Sequence, residues 1–229
     1  RFTAPIMHLA ENFRVWMPII PGFDGTETIP GIETLPEVAE LFSMFVAETS
    51  GSCDVVGQSL GGWLGAWLAV LHPEQIGQLV LSAPAGFRPA DAPPLSFEPE
   101  VFQAQLYAHP ERRPADDKPP EIVAANQNAV RHYGLSRSRD EELIARLSKI
   151  SCLTLILQGT EDVRVPTEAV QMLRYEIKHS HLVYIYDAAH SLEVDQPDKV
   201  GEVIVDFLTR SEAFIVKPGR NAPEFGAST

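Results

Sequence analysis

Short apolar runs alternate with longer amphipathic segments along most of the chain. Five of the short runs are rich in strand-forming residues and have the length of buried strands. They predict strands at Arg14–Ile20, Cys53–Gly57, Gln78–Ala83, Leu153–Gln158 and His181–Tyr186. Because segments with helical periodicity separate most of these runs, the pattern predicts an α/β fold: a mostly parallel sheet with helices on both faces.

The segments between the runs predict amphipathic helices. Thr34–Thr49 begins with Thr34 and Glu37 at the spacing of a capping box. Leu60–Leu71 is apolar almost all round, which is typical of a helix packed inside the molecule. Further helices are predicted at Thr167–Ile177 and Pro197–Leu208, and we expect Asp195 to cap the second of these.

One long stretch, Arg88–Ser148, breaks this alternation. It carries two clusters of prolines, no β-rich run, and helical segments around Pro99–Tyr107 and Glu121–Tyr133. We predict a core of residues 1–87 and 148–229, and a helical cap of residues 88–147 over the C-terminal edge of the sheet. An ordinary long surface excursion is the alternative. The tail, Lys217–Thr229, is expected to be frayed.

Composition excludes several classes of partner. The 229 residues include 18 basic and 31 acidic side chains, a net charge of −13, which repels nucleic acids and anionic membranes. No apolar run reaches the roughly 18 residues that a membrane span needs. Cys53 and Cys152 indicate two buried thiols in a reducing compartment rather than a disulfide or a metal pair. We expect a cytoplasmic protein that is a monomer or a homodimer and that acts on a small-molecule substrate.

The pentapeptide Gly57-Gln58-Ser59-Leu60-Gly61 stands between a predicted strand and a predicted helix. A sharp turn there lifts the serine hydroxyl above the sheet, and small neighbours let the backbone bend. Ser59 is thus a candidate nucleophile; a buried serine without reactivity is the alternative. We expect a bulky residue at Gly61 to clash with the neighbouring backbone.

A serine nucleophile needs a base, and the base needs an acid that orients it. Both should follow later strands, because the C-terminal ends of parallel strands meet at one edge of a sheet. Asp162 and His190 lie on such loops, in the order expected of this chemistry. Glu161 and Asp187 are competing candidates for the acid.

Four stretches of the chain resemble the α/β-hydrolase superfamily: Phe13–Gly25, Cys53–Phe87, Leu153–Pro166 and Ala188–Leu208. The resemblance implies the α/β-hydrolase fold, with Ser59 as nucleophile, His190 as base and Asp162 as acid. It also implies that the backbone N–H of Leu60 forms half of an oxyanion hole, and that no cofactor or metal takes part.

The resemblance further implies that the helical cap shapes a pocket for the acyl group. We expect Gln58, inside the motif, to contact the substrate as well. Candidate lining residues are Phe87, Phe97, Phe102, Leu106, Tyr107 and Tyr133, although core packing explains any one of them equally well.

The chain departs from the family at one point. Family members carry a strand and a His-Gly loop, the source of the second oxyanion donor, before a helix that corresponds here to Thr3–Asn12. This chain has no His-Gly dipeptide. We therefore expect an N-terminally incomplete version of the enzyme, in which Arg14–Ile20 lacks its neighbour on the side facing Cys53–Gly57.

These observations favour a serine hydrolase that cleaves a carboxylic ester or a related acyl substrate. Hydrolysis of a carbon–carbon bond in a ring-cleavage diketone uses the same three residues and is one alternative. Such substrates carry a carboxylate, for which Arg112, Arg113 and Arg131 are candidate partners. A catalytically impaired, non-enzymatic form of the fold is the other alternative.

Overall fold

The computed structural model of the chain describes residues 4–96, 98–115 and 118–214. Its sheet has four parallel strands in the order β1-β2-β3-β4. These are β1 (Cys53–Gln58), β2 (Ile76–Ser82), β3 (Leu153–Gly159) and β4 (Ser180–Ile185). Four of the predicted strands are therefore confirmed, with bounds that differ by one or two residues.

Nine α-helices surround the sheet in the described part of the chain. They are α1 (Ala4–Asn12), α2 (Leu35–Thr49), α3 (Leu60–Leu71), α4 (Pro99–Ala104), α5 (Pro120–His132), α6 (Glu141–Ile144), α7 (Thr167–Glu176), α8 (Leu192–Asp195) and α9 (Pro197–Arg210). Helix α3 packs on β1 and β2, and α7 packs on β3 and β4, while α1 pairs with α9. The predicted α/β architecture, with helices on both sides of a parallel sheet, is confirmed.

The predicted strand at Arg14–Ile20 is wrong. In the described structure, residues 14–20 pair with no strand, and β1 is an edge strand of the sheet, paired with β2 alone. A strand exists only where a neighbour accepts and donates its backbone hydrogen bonds, and this segment has no such neighbour. Its apolar side chains, Trp16 among them, are largely exposed.

Helix α3 forms the centre of the core, as its apolar composition predicts. Trp63 and Trp67 are almost completely buried, and both indole N–H groups donate to one oxygen of Asp140, at 2.8 and 3.0 Å. Asp140 also accepts from the Leu143 N–H at the start of α6. A buried carboxylate thus joins the central helix to the segment that precedes β3.

Between β2 and β3 the described residues form helices α4, α5 and α6 and contribute no strand to the sheet. The two ends of this excursion lie side by side, because Phe87 and Arg139 form an isolated antiparallel bridge and the Asp140 N–H donates to Gly86 at 2.8 Å. The helical content of the excursion is as expected, while the division into core and cap stays a prediction. The frayed tail was predicted for residues that lie outside the described ranges.

Cys53 and Cys152 are free thiols, and burial raises the pKa of each. In residues 4–96, 98–115 and 118–214, no helix combines the length and the apolar character that a membrane span requires.

We predict that Asp140→Ala lowers the free energy of unfolding by about 3 kcal/mol, because two buried indole N–H groups lose their acceptor. Asp206→Ala is the matched control, since Asp206 pairs with Arg210 on the surface of α9 and such pairs contribute about 0–1 kcal/mol. Urea denaturation of both variants measures the difference. A loss below about 1 kcal/mol for Asp140→Ala would contradict this role.

Candidate active site

The chain turns sharply between β1 and α3, and Ser59 sits at the turn. Its backbone has φ 50° and ψ −110°, a conformation that costs a non-glycine residue energy. The Ser59 N–H donates to the backbone carbonyl of Ser82 at 2.9 Å, and the Ser59 carbonyl accepts from the Ala85 N–H at 3.0 Å. The loop after β2 therefore holds the strained turn in place and fixes the direction of the hydroxyl.

Gly57, rather than Gly61, is the residue that the turn requires. A Cβ atom on Gly57 would overlap the Gly61 carbonyl and lie 2.6 Å from the Gly62 nitrogen, whereas one on Gly61 would meet open space. The expectation of a clash at Gly61 is therefore wrong. The backbone of Gly61 approaches Gly57, but its own missing side chain points away from that contact.

The structure brings Ser59, Asp162 and His190 together. His190 Nε2 lies 2.9 Å from Ser59 Oγ, and His190 Nδ1 lies 3.0 Å from Asp162 Oδ2. The Asp162 side chain is 0% exposed and that of His190 is 7% exposed. The second Asp162 oxygen accepts the N–H groups of Arg164 and Val165, at 2.7 and 2.9 Å. These bonds fix the carboxylate so that one oxygen faces the imidazole.

The competing acids lie elsewhere. Glu161 is exposed, and the carboxylate of Asp187 contacts His109 Nε2 at 2.8 Å. This hydrogen bond raises the pKa of the His109 imidazole. Asp162 is therefore the one of the three candidates that contacts His190.

Asp195 organises the His190 loop, a role that the sequence did not reveal. It does not cap α9, whose N-cap is Gln196. Its buried carboxylate accepts the N–H of Ala189 at 2.8 Å and the N–H groups of Ala108 and His109, both at 3.0 Å. One carboxylate thus joins the loop that carries His190 to the excursion between β2 and β3.

A cavity of about 200 Å³ opens beside Ser59 and His190. Of the residues singled out from the sequence, Leu60 and Phe102 lie on its wall. Its other walls are formed by Trp63, Pro84, Ala85, Gly86, Arg88, Leu95, Val130, Leu135, Ser136, Arg137, Ser138, Arg164 and Val165. Most of these residues belong to the excursion or to loops after strands, so the two parts of the chain enclose the cavity together.

The structure does not place Gln58, Phe87, Tyr107 or Tyr133 on these walls. The Gln58 amide instead donates to the carbonyl of His190 at 3.2 Å, and the Tyr133 hydroxyl donates to the carbonyl of Pro21 at 3.0 Å. Phe87 is buried in the core. Aromatic residues pack wherever apolar surface is available, which is why their positions in the sequence did not separate lining residues from core residues.

Tyr107 is half-buried and does not lie on the cavity wall. The carbonyl of its neighbour Leu106 accepts the Ser191 N–H at 2.8 Å, so this segment packs on the His190 loop instead. Phe97, the remaining candidate, lies outside the described residues.

Sequence reasoning missed two buried arginines of the cavity, Arg88 and Arg164. Both lie on loops that follow strands, the rule that identified Asp162 and His190, so position was the signal that could have found them. The three arginines considered from sequence are not on the cavity walls. Of these, Arg112 donates to the carbonyl of Asp195, and Arg131 donates to Asn128.

Within the described ranges, no group of three or more histidine, cysteine, aspartate or glutamate side chains is arranged to hold a metal ion.

We predict that Gly57→Ala lowers the free energy of unfolding by about 1–3 kcal/mol, because the added methyl overlaps backbone that cannot move independently. Gly61→Ala is the matched control in the same turn, and it should be neutral or stabilising by up to about 1 kcal/mol, because alanine favours helix. Thermal or urea unfolding distinguishes the two variants. Equal stabilities would show that no close approach exists at Gly57.

Comparison with known proteins identifies the family of the chain. The sequence profile described as the alpha/beta hydrolase family matches residues 2–203. The chain is 27% identical to the pimeloyl-[acyl-carrier protein] methyl ester esterase of Yersinia enterocolitica, over 90% of this chain and 87% of that protein. It is 22% identical to the 2-hydroxy-6-oxo-6-phenylhexa-2,4-dienoate hydrolase of Comamonas testosteroni, over 86% of this chain and 77% of that one.

A solved structure is similar over the same extent. It is that of a thermophilic esterase from Thermogutta terrifontis with malate bound, at 25% identity and a TM-score of 0.74, covering 90% of this chain and 84% of that one. The family match covers far more than half of the chain and agrees with the observed sheet and helices. The protein is therefore a hydrolase that belongs to the alpha/beta hydrolase family.

Proposed function

We propose that this protein is a serine hydrolase that cleaves a carboxylic ester or a related acyl substrate through an acyl-enzyme. The observation that carries the proposal is the continuous contact of Ser59, His190 and Asp162, at 2.9 and 3.0 Å. This is the arrangement of nucleophile, base and orienting acid that activates a serine hydroxyl.

In the first half of the reaction, Ser59 Oγ attacks the carbonyl carbon while its proton passes to His190 Nε2. His190 Nδ1–H donates to Asp162, whose negative charge stabilises the imidazolium that forms. His190 then gives the proton to the leaving alcohol. The alcohol departs, and the acyl group remains bound to Ser59 as an ester.

The tetrahedral intermediate carries a negative oxygen that needs hydrogen-bond donors. Leu60 is the first residue of α3, where a backbone N–H has no acceptor within its own helix, and it lines the cavity beside Ser59. Its N–H is our proposed oxyanion donor, and the N-terminal end of α3 favours the developing charge.

In the second half, His190 takes a proton from a water molecule, which attacks the acyl carbon. The proton returns to Ser59 as the carbon–oxygen bond breaks, which releases a carboxylic acid and restores the free enzyme. The buried side chains of His190 and Asp162 keep their geometry through both halves, because backbone N–H groups hold Asp162 from behind.

The relatives support ester hydrolysis first. The relative with 27% identity is named as a methyl ester esterase, and the similar solved structure is that of an esterase. The relative with 22% identity is named as a hydrolase of a hydroxy-oxo-dienoate. Hydrolysis of a ring-cleavage diketone is therefore the second candidate.

We predict that the protein hydrolyses short-chain p-nitrophenyl esters, and that Ser59→Ala lowers kcat by at least about 10³-fold without loss of folding. Ser43→Ala is the control, since the Ser43 hydroxyl donates within its own helix, to the Glu40 carbonyl. Initial rates and circular dichroism of the three proteins measure both effects. If Ser59→Ala hydrolysed the esters at the wild-type rate, Ser59 would not be the nucleophile.

The same assay with 2-hydroxy-6-oxo-6-phenylhexa-2,4-dienoate as substrate separates the two candidates. We expect the esters to be the better substrates by kcat/KM. A clear preference for the dienoate would favour the second candidate, and a folded protein without turnover of either substrate would support the catalytically impaired form.

A further inference from the structure

Two arginine side chains face the same cavity as the proposed nucleophile. Arg88 follows β2 and Arg164 follows β3, so both lie at the edge of the sheet where Ser59 and His190 meet. Each arginine is only 7% exposed. Arginine is rarely buried to this degree unless an anion or a set of acceptors compensates its charge.

The acceptors around Arg88 are uncharged. Its guanidinium donates to the carbonyls of Arg164 and Pro93, the latter at 2.8 Å. No ion pair joins Arg88 to a carboxylate of the described residues. A guanidinium has five N–H groups in a planar fork, so these two bonds leave donor capacity beside the cavity.

Arg164 increases the positive charge at the same place. Its guanidinium lies 4.3 Å from the ring centre of Phe102 and donates to the Gln105 side-chain oxygen at 3.1 Å. Burial lowers the pKa of Arg164, and the nearby charge of Arg88 lowers that pKa further. Two cations in a low-dielectric wall repel each other, and an anion bound between them would reduce this repulsion.

Asp162 is a carboxylate that acts on both arginines, and it opposes the lowering of their pKa values. Its oxygens are already engaged, one by His190 and the other by two backbone N–H groups. Asp162 can therefore not turn toward the arginines without leaving His190.

A third arginine of the cavity provides a contrast. Arg137 contacts the buried carboxylate of Asp140 at 3.4 Å and is half-exposed. Its charge is thus partly compensated by the protein and by solvent. Arg88 and Arg164 differ from it in being buried at the edge of the sheet that carries Ser59.

We propose that Arg88 and Arg164 form a subsite for a carboxylate of the substrate, so that the preferred ester bears an acidic group a few bonds from the scissile carbonyl. The planar guanidinium fork matches the two oxygens of a carboxylate. The inference rests on the proposed function, because it names the substrate class of the same site.

The test compares monomethyl glutarate and monomethyl adipate with methyl pentanoate and methyl hexanoate, which are uncharged esters of similar length. For the wild-type protein, we expect kcat/KM for each acidic ester to be at least about ten times kcat/KM for the uncharged ester of the same length. Arg88→Met and Arg164→Met should each lower this ratio about tenfold to a hundredfold, the range of one charge-assisted contact.

Arg146→Met is the matched control. Arg146 lies over Trp67 and pairs with Glu142 at the surface, and it does not line the cavity. We expect it to leave the ratio unchanged. A wild-type protein that hydrolyses the uncharged esters without preferring the acidic ones would overturn the subsite while leaving the proposed function intact.

A second measurement does not depend on turnover or on folded arginine variants. At constant ionic strength, adipate should raise the Tm of the wild-type protein, whereas adipamide should not. Stabilisation by adipate without hydrolysis of any ester would support the subsite and contradict the proposed function. Equal Tm values with adipate and adipamide would overturn the subsite.

Discussion

The strained backbone at Ser59 is the constraint on which the site depends. A non-glycine residue at φ 50° persists only where its surroundings hold it. Here the backbone of Ser59 forms hydrogen bonds with Ser82, the last residue of β2, and with Ala85 in the loop that follows. The close approach of the backbone at Gly57 also holds the turn. Because the four strands are parallel, the loops that carry Asp162 and His190 leave the sheet at this same edge. The order and direction of the strands are therefore sufficient to bring the proposed nucleophile, base and acid together.

The excursion between β2 and β3 is part of the site rather than an independent addition. It contributes much of the cavity wall, and its backbone binds the carboxylate of Asp195, which also holds the loop before His190. Movement of the excursion would thus disturb the position of the base as well as the shape of the cavity. Arg88 and Arg164 lie where these two parts of the chain meet, so the proposed substrate recognition and the proposed chemistry share one framework.

Local pattern and strand order were enough to predict that Asp162 and His190 lie close together, because both follow strand ends and a parallel sheet brings such ends to one edge. The prediction of a strand at Arg14–Ile20 was wrong because a strand needs a neighbouring strand to pair with, and local periodicity does not show whether one is present. Whether a Cβ at Gly61 would meet other atoms depends on three-dimensional packing, which the sequence pattern does not report either. Arg88 followed the rule that identified the other two residues, but charged residues are usually exposed and its burial was not visible in the sequence.

The central claim is that His190 and Asp162 activate Ser59, and labelling with a fluorophosphonate tests it most directly. Intact-mass and peptide analysis should find one adduct per chain, on Ser59, and His190→Gln should slow its formation by at least about 10³-fold. The Ser59–His190 distance of 2.9 Å already provides the contact that proton transfer requires. A folded protein that remains unlabelled, or that is labelled at another residue, would contradict the account.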